Sequence, residues 1–253
     1  MTIWIDPPRW PAHGRLWSHL ISDSSIAELH LFARSAGIPE RGFEGDHYDI
    51  PQERYAAVLA LGARPTTGPE IVRMLQQSGL RLRKRTGEKG IARVLDVGFP
   101  DGSRADVDLV RSSREPPEHA VFASSIYVRD ATDNWLAVWS PRRREWSSPS
   151  GWREPGEAPM ETAVRETLEE SGLVVDPAAI EVVGYERFHP HEGTGWGPDG
   201  RFLAVYATRV PLPAPALSHP PEEPARWVTA AAFLADAAES WWLPMARVVM
   251  ERG

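Results

Sequence analysis

The sequence predicts an α/β protein of two parts, and three observations support this. Residues 1 to about 85 alternate an apolar strand candidate with helix candidates. Residues 92–111 hold two runs in which apolar and polar residues alternate, as in strands with one solvent-facing side. Several short apolar runs flank one acidic helix farther on. We expect a small N-terminal α/β domain over 1–85, a hairpin and linker over 86–117, and a larger domain over 118–253.

The N-terminal segment is expected to form one strand and several helices. Ser25, with Glu28 three residues later, suits the start of the first helix as a capping box. Thr67 suits the start of the last one. The predicted elements are a strand over residues 2–6 and helices over residues 26–36, 54–61 and 69–77.

Asp and His are concentrated in two stretches of this segment. They are DPPRWPAHGRLWSHL at residues 6–20 and GDHYD at residues 45–49. Such side chains can bind a metal, act in acid–base catalysis or make structural hydrogen bonds, and their spacing fits no fixed metal motif. The segment resembles an uncharacterised bacterial domain family of unknown function that opens with the same Asp-Pro-Pro-Arg-Trp run. This resemblance supports a domain boundary near residue 85.

A hairpin and then a series of alternating elements follow. Two strands are predicted on either side of the turn FPDGS at residues 99–103, and SREPPE at residues 113–118 is predicted to be a linker. The remaining predicted strands are residues 121–128, 135–139, 180–185, 202–210 and one that begins at 226. Helices are predicted over residues 230–238 and 241–251.

One segment carries most of the functional information. Residues 151–173 read GWREPGEAPMETAVRETLEESGL, with the spacing G-x5-E-x7-R-E-x-x-E-E-x-G. Because an α-helix turns by about 100° per residue, Glu166, Glu169 and Glu170 share one face. Carboxylates this close repel one another, and a bound cation reverses that cost. Oxygen ligands without nearby Cys or His indicate Mg²⁺ or Mn²⁺.

The same helix can bury its opposite face. Met160, Val164 and Leu168 are predicted to pack there, and Gly172 supplies a C-terminal stop. The alternative is a solvated glutamate-rich helix. Seven fixed identities at about 7% each give a chance match of about 10⁻⁸ per window, so the full pattern favours the functional interpretation.

Residues 151–173 resemble the signature box of the Nudix hydrolases, which cleave nucleoside diphosphates linked to another group. All seven charged or glycine positions match, whereas Thr167 replaces an aliphatic residue and Ser150 replaces a glycine that often precedes the box. The resemblance implies an α/β/α sandwich with a mixed sheet. It also implies metal-dependent hydrolysis of a diphosphate linkage in an ADP-ribose-like compound, nucleotide sugar, dinucleotide or NTP.

The resemblance also implies roles for individual residues. Arg165 is expected to orient a glutamate of the cluster through its planar fork. The general base is either Glu166 or an acid on a later loop, where Glu222 and Glu223 stand and Glu223 is preferred. The expected metal-binding residues are Gly151 through its backbone oxygen, Glu157 through water, Glu166, Glu169 and Glu170.

The substrate is expected to meet a loop over residues 186–201. His189, His191 and Trp196 in this loop are predicted to stack on a base or contact a phosphate, or else to pack the loop itself. Two arginine-rich runs, residues 81–85 and 142–144, are predicted to be solvated surface, with phosphate contact as the alternative.

Composition limits the function classes further. The absence of cysteine excludes disulfides and thiol catalysis and favours a reducing cytoplasm. A net charge of −7 argues against nucleic acid as a partner, and no apolar run reaches the length of a membrane span. We expect a small-molecule nucleotide as partner and consider a homodimer. The alternatives to an enzyme of this kind are a nucleotide sensor coupled to the N-terminal domain and an RNA-end processing protein.

Overall fold

The computed structural model describes residues 2–251 of the chain. The chain divides into two compact units, residues 1–93 and residues 94–253, and each combines strands with helices. The predicted α/β class is confirmed. Among residues 2–251, no helix has the length and apolar character that a membrane span requires.

The first unit is built on a five-stranded sheet. Its strands are β1 (Ile3–Ile5), β2 (Trp10–Ala12), β3 (Arg15–Ser22), β4 (Tyr48–Pro51) and β5 (Arg64–Pro65). The order is β2-β3-β1-β5, and β4 also pairs with β3. Only the β1–β5 pair is parallel among the pairs of this sheet in residues 2–251. Its helices are α1 (Ile26–Ser35), α2 (Tyr55–Ala60) and α3 (Gly68–Gln77).

The predicted helix starts of this unit are confirmed, but the Ser25–Glu28 capping box is wrong in part: the Glu28 carboxylate accepts from the Ser22 hydroxyl, and the Ser25 backbone N–H donates to Ser22 Oγ at 3.1 Å. The Ser25 hydroxyl accepts a hydrogen bond from the Glu28 backbone N–H at 3.1 Å. The Thr67 hydroxyl accepts one from the Glu70 backbone N–H at 3.4 Å. The sequence prediction lacked strands β2 to β5, which are short or contain polar residues. The buried core includes Ile5, Leu20, Leu29 and Ile50.

The second unit is built on a mixed sheet. Strand β6 (Lys89–Gly98) adjoins β7 (Arg104–Arg111) in the sheet. The remaining strands are β8 (Val121–Arg129), β9 (Asn134–Ser140), β10 (Glu145–Ser147), β11 (Ser150–Trp152), β12 (Glu181–Pro190), β13 (Phe202–Arg209) and β14 (Ala225–Thr229). The order is β10-β9-β8-β13-β12-β7-β6, with β11 on β8 and β14 on β9. Strand β13 runs parallel to β8, whereas β12 runs antiparallel to β13 and β7.

Helices α4 (Pro159–Ser171), α5 (Ala230–Asp236) and α6 (Leu243–Met250) pack against this sheet. Apolar residues of β8, β9 and β13 form the core beneath α4, among them Ile126, Leu136 and Tyr206. The predicted mixed sheet with helices is confirmed. One expectation is wrong in part: residues 186–190 belong to β12 and not to a loop, because β12 stays paired with β7 as far as Pro190.

Candidate active site

The acidic helix α4 begins and ends at local sequence signals. Pro159 occupies its first turn, and the Glu161 carboxylate accepts a hydrogen bond from the Ala158 backbone N–H at 2.8 Å. Gly172 ends the helix in the left-handed region at φ 67°, and its N–H donates to the Leu168 carbonyl at 2.8 Å. These signals fix the segment over which the carboxylates share a face.

The buried face of α4 consists mainly of small residues. Ala163 and Thr167 are fully buried, and the Thr167 hydroxyl donates to the Ala163 carbonyl at 2.7 Å. Met160 and Val164 pack against the core as predicted, but the prediction for Leu168 is wrong, since it is 49% exposed. Thr167 faces the sheet, and its hydroxyl has a hydrogen-bond acceptor within the helix itself. Leu168 lies about 100° around the helix from Thr167 and therefore does not face the sheet.

Arg165 connects the acidic residues of the site. Its Nε and Nη2 donate to the two carboxylate oxygens of Glu157 at 2.9 and 3.2 Å. Its Nη1 donates to Glu166 at 2.7 Å and to Glu169 at 3.0 Å. Its Nη2 also reaches the Trp152 carbonyl at 2.9 Å. One guanidinium thus holds three carboxylates and ties α4 to β11.

Strand β11 lies directly against two of the carboxylates. The Ser150 backbone N–H donates to Glu170 at 3.0 Å. A Cβ placed on Gly151 would stand 2.0 Å from Glu166 Oε1, so any other residue here would displace this carboxylate from its present position. The close approach brings the first and last parts of the 151–173 segment together.

The acidic residues differ in their electrostatic surroundings. Hydrogen bonds from Arg165 lower the pKa of Glu157 to about 2. Burial raises the pKa of Glu170 to about 8 and also raises that of Glu166. The charge of Glu223 contributes to the rise at Glu170, so this loop acid lies within electrostatic range of the cluster. Glu169 is the most exposed of the Arg165 partners, with 57% of its side chain exposed.

A cavity of about 320 Å³ adjoins β11, where Ser150 and Gly151 form part of its wall. Eight of its lining residues are aromatic: Phe99, Phe122, Tyr127, Trp152, Phe188, Trp196, Trp241 and Trp242. The ring centre of Trp196 lies 5.3 Å from that of Phe188 and 5.6 Å from that of Phe122. Cavities of this kind suit a flat organic group.

A few charged residues interrupt the aromatic lining. Arg142 and Arg143 line the cavity from the β9–β10 connection, and the Arg143 guanidinium donates to Glu145 at 2.7 Å and to Ser147 at 2.8 Å. Glu186 lines it from β12 and is only 5% exposed. Burial raises the pKa of Glu186 to about 8, while the charge of Arg143 opposes the rise.

The expected substrate residues take different positions. Trp196 lines the cavity, and its indole Nε1 is buried without a hydrogen-bond partner in residues 2–251. His189 and His191 contact Asp108 at 2.8 Å and Asp106 at 2.9 Å, and neither lines this cavity. The fold therefore separates His189 and His191 from Trp196, although the sequence predicts that all three contact the substrate.

Sequence reasoning missed several groups at this site. Ser150 and Trp152 act through backbone atoms, which leave no signal in the residue type. The sequence predicts a loop at Glu186, and only the register of β12 turns this residue toward the cavity. Arg143 belongs to a run that the sequence predicts to be solvated surface. The signal that could have found Glu186 is the charged pair Glu186 and Arg187 in a stretch otherwise able to form a strand.

Comparison with known proteins gives the family of each unit. The model of the NUDIX domain matches residues 119–250, just over half of the chain, and that of a protein family of unknown function (DUF4031) matches residues 3–78. No curated protein matches the chain.

Several solved structures resemble the chain at low identity. A mutant of the Bacillus subtilis pyrophosphohydrolase BsRppH is 18% identical, with 64% of this chain and 97% of that chain covered and a TM-score of 0.46. A C. elegans Ap4A hydrolase is 19% identical, with 52% and 96% covered and a TM-score of 0.37. The E. coli dihydroneopterin triphosphate pyrophosphohydrolase is 18% identical, with 55% and 97% covered and a TM-score of 0.40. On the match over residues 119–250, the chain belongs to the Nudix family.

Proposed function

We propose that this protein is a pyrophosphohydrolase that cleaves the diphosphate linkage of a nucleoside diphosphate derivative with the help of Mg²⁺ or Mn²⁺. The observation that carries the proposal is that β11 contacts two features. The carboxylates of Glu166 and Glu170 lie against Gly151 and Ser150 of this strand, and the same two residues line the aromatic cavity. A diphosphate held at β11 can reach both.

The residues present fit a hard divalent cation. The cluster offers carboxylate oxygens and the backbone oxygen of Gly151, which are the ligands that Mg²⁺ and Mn²⁺ prefer. Burial raises the pKa of Glu170 to about 8, and a positive charge beside it would restore the ionised form. The proposed ligands are Glu166, Glu169, Glu170 and Gly151, with Glu157 acting through water. Such an ion neutralises phosphate charge and lowers the pKa of a bound water.

Arg165 acts in this proposal as a positioning residue. Its fork holds Glu157, Glu166 and Glu169 at hydrogen-bond distance and thereby keeps mutually repelling carboxylates together. The proton of the attacking water passes to a carboxylate, and Glu166 and Glu223 are the two candidates. Glu166 lies in the cluster itself, whereas Glu223 lies within electrostatic range of Glu170 on the loop before β14.

The cavity supports a substrate with a flat heteroaromatic group. Rings of Trp196, Phe122 and Phe188 offer apolar faces, and stacking of a base on such rings contributes about 1–3 kcal/mol. Arg142 and Arg143 at the cavity provide positive charge for phosphate oxygens. A small-molecule nucleotide is therefore the proposed partner. A cytoplasmic location and a homodimer stay predictions.

A hydrolysis screen tests the proposal. Purified protein is incubated with Mg²⁺ or Mn²⁺ and ADP-ribose, NADH, dinucleoside polyphosphates, nucleotide sugars, and normal and oxidised dNTPs. Wild type is compared with Glu170→Gln and with Glu181→Gln, which changes an exposed glutamate at the start of β12. We expect cleavage by wild type and Glu181→Gln and a loss of at least about 10²-fold in Glu170→Gln.

Two outcomes would overturn the proposal. Activity that is indifferent to Glu170→Gln would move the chemistry away from α4. Nucleotide binding without product over the whole panel would identify a sensor instead of an enzyme.

A further inference from the structure

The first unit contains a cluster of side chains of the types that can hold a metal ion, separate from the carboxylates of α4. One ligand atom each from His19, His47 and Asp49 lies within 4.8 Å of the others. His19 lies in β3, Asp49 lies in β4, and His47 directly precedes β4. The family that matches this unit is described only as being of unknown function.

Strand pairing places the three side chains on one face. His19 of β3 lies opposite Asp49 of β4 in the antiparallel register. Directly opposed residues of such a pair have their Cβ atoms about 5 Å apart. His47 lies just before β4, and its Nε2 is 3.3 Å from Asp49 Oδ1, so both side chains lie on the same side. The His19 and His47 rings have their centres 5.0 Å apart at an interplanar angle of 79°.

Buried carboxylates fix the orientation of both imidazoles. His19 Nδ1 lies 3.0 Å from Asp6 Oδ2, and His47 Nδ1 lies 2.5 Å from Asp46 Oδ1. Asp6 and Asp46 are each 1% exposed. In both contacts the Nδ1 side of the ring faces a carboxylate, which leaves Nε2 as the ring nitrogen turned toward the cluster; His47 Nε2 lies 3.3 Å from Asp49 Oδ1. A carboxylate behind Nδ1 with Nε2 toward the ion is the arrangement found in metal-bound histidines.

The two carboxylates are themselves held in place. Asp6 accepts hydrogen bonds from the Trp10 indole at 3.0 Å and from the His19 backbone N–H at 2.5 Å. Asp46 accepts one from the Leu82 backbone N–H at 2.8 Å. These hydrogen bonds hold Asp6 and Asp46 in place, and the two carboxylates in turn hold the imidazoles of His19 and His47 in fixed orientations. A set of two imidazoles and one carboxylate suits Zn²⁺ and similar transition metals better than Mg²⁺.

From this geometry we infer that His19, His47 and Asp49 form a site for a divalent transition metal of the Zn²⁺ type, with Asp6 and Asp46 as supporting residues. His19 and Asp49 also line a cavity of about 780 Å³. Three protein ligands leave at least one coordination position for water or another exchangeable ligand, which is the arrangement of catalytic and not of structural zinc sites. The cavity gives that position access from outside.

Metal binding by the full-length chain tests this inference. Protein stripped with a chelator is dialysed against Zn²⁺ in the presence of excess Mg²⁺, which occupies oxygen-only sites such as the α4 cluster. Zinc content is then measured by mass spectrometry, and Co²⁺ is used separately as a spectroscopic probe. We expect about one equivalent of Zn²⁺ in wild type and a visible Co²⁺ spectrum with nitrogen ligands.

Variants separate ligands from supporting residues. His19→Gln and His47→Gln should lose the bound Zn²⁺, and Asp6→Asn should weaken the affinity by about 10–100-fold. Asp49→Asn tests a ligand whose side chain is 38% exposed, so the substitution leaves the core intact. The matched control is His30→Gln, because His30 contacts Tyr48 Oη at 2.7 Å and lies outside the cluster.

The Zn²⁺ and Co²⁺ measurements test this site independently of any hydrolysis by the second unit. Circular dichroism of each variant establishes that it is folded. Wild type that retains no Zn²⁺ after dialysis would overturn the site, as would equal Zn²⁺ loss in His30→Gln and His19→Gln. Zn²⁺ binding that disappears in Glu170→Gln but persists in His19→Gln would assign the ion to α4 and would equally overturn it.

Discussion

Replacing Glu186 by Gln should change how the stability of the second unit depends on pH. Glu186 lies in the wall of the aromatic cavity and is 5% exposed. Burial raises its pKa from 4.5 to about 8, with the charge of Arg143 lowering it and that of Glu145 raising it. The nearby hydroxyl of Tyr127 is fully buried, and burial raises its pKa too. The Tyr127 hydroxyl therefore stays neutral between pH 4.5 and about 8, where Glu186 titrates.

The sign of the effect follows from proton linkage. Between pH 4.5 and about 8, the unfolded chain has released the Glu186 proton whereas the folded chain retains it. Rising pH therefore favours unfolding, by about 1.4 kcal/mol for each pH unit. The stabilisation is complete below pH 4.5 and is lost by about pH 8. Over about three pH units, from roughly pH 5 to roughly pH 8, the loss amounts to about 4 kcal/mol.

Urea unfolding followed by tryptophan fluorescence measures this dependence, because Trp196, Trp241 and Trp242 line the same cavity. The Glu186→Gln variant has no such proton to release. From roughly pH 5 to roughly pH 8, its unfolding free energy should therefore fall by about 4 kcal/mol less than that of wild type. Glu181→Gln lies on the same strand at an exposed position and should keep the wild-type slope. A wild-type slope in Glu186→Gln would refute the reasoning.

Three further substitutions probe the site. Gly151→Ala places a Cβ 2.0 Å from Glu166 Oε1, so kcat should fall by about 10²-fold in a folded protein, and an unchanged kcat would contradict the steric argument. Arg165→Gln removes the charged partner of Glu157 and should lower the unfolding free energy by about 3 kcal/mol in urea titrations, with Arg165→Lys less affected; equal stability of all three proteins would speak against it. Trp196→Ala should raise KM about tenfold to hundredfold at constant kcat in steady-state assays, and a loss confined to kcat would rule out a stacking role.

Local signals in the sequence predicted the helices well. Ser25 and Thr67 cap α1 and α3 as expected, because an N-cap depends only on residues three positions apart. The helical period also predicted that Glu166 and Glu170 share a face. It failed for Leu168, which is exposed, because the sheet selects the stripe through Ala163 and Thr167 instead.

Short strands were the weakest part of the prediction. Strands β10 and β11 have three residues each, too few for a recognisable alternation. They exist because β9 and β8 supply hydrogen-bond partners. Pairing with a neighbouring strand also explains the error in the loop predicted over residues 186–201. The pairing of β12 with β7 extends the strand to Pro190, beyond its apolar residues, so the loop begins later than predicted.

The sequence by itself determined the two families and the acidic helix, because the spacing of Arg165 and its glutamates is a local property of one segment. Tertiary structure alone decided which groups meet that helix. Strand β11 brings Gly151 against Glu166, and the register of β12 turns Glu186 to the cavity. In the first unit, the pairing of β3 with β4 sets His19 opposite Asp49. Such contacts join residues far apart in the chain, and backbone pairing, which carries no residue signature, fixes them.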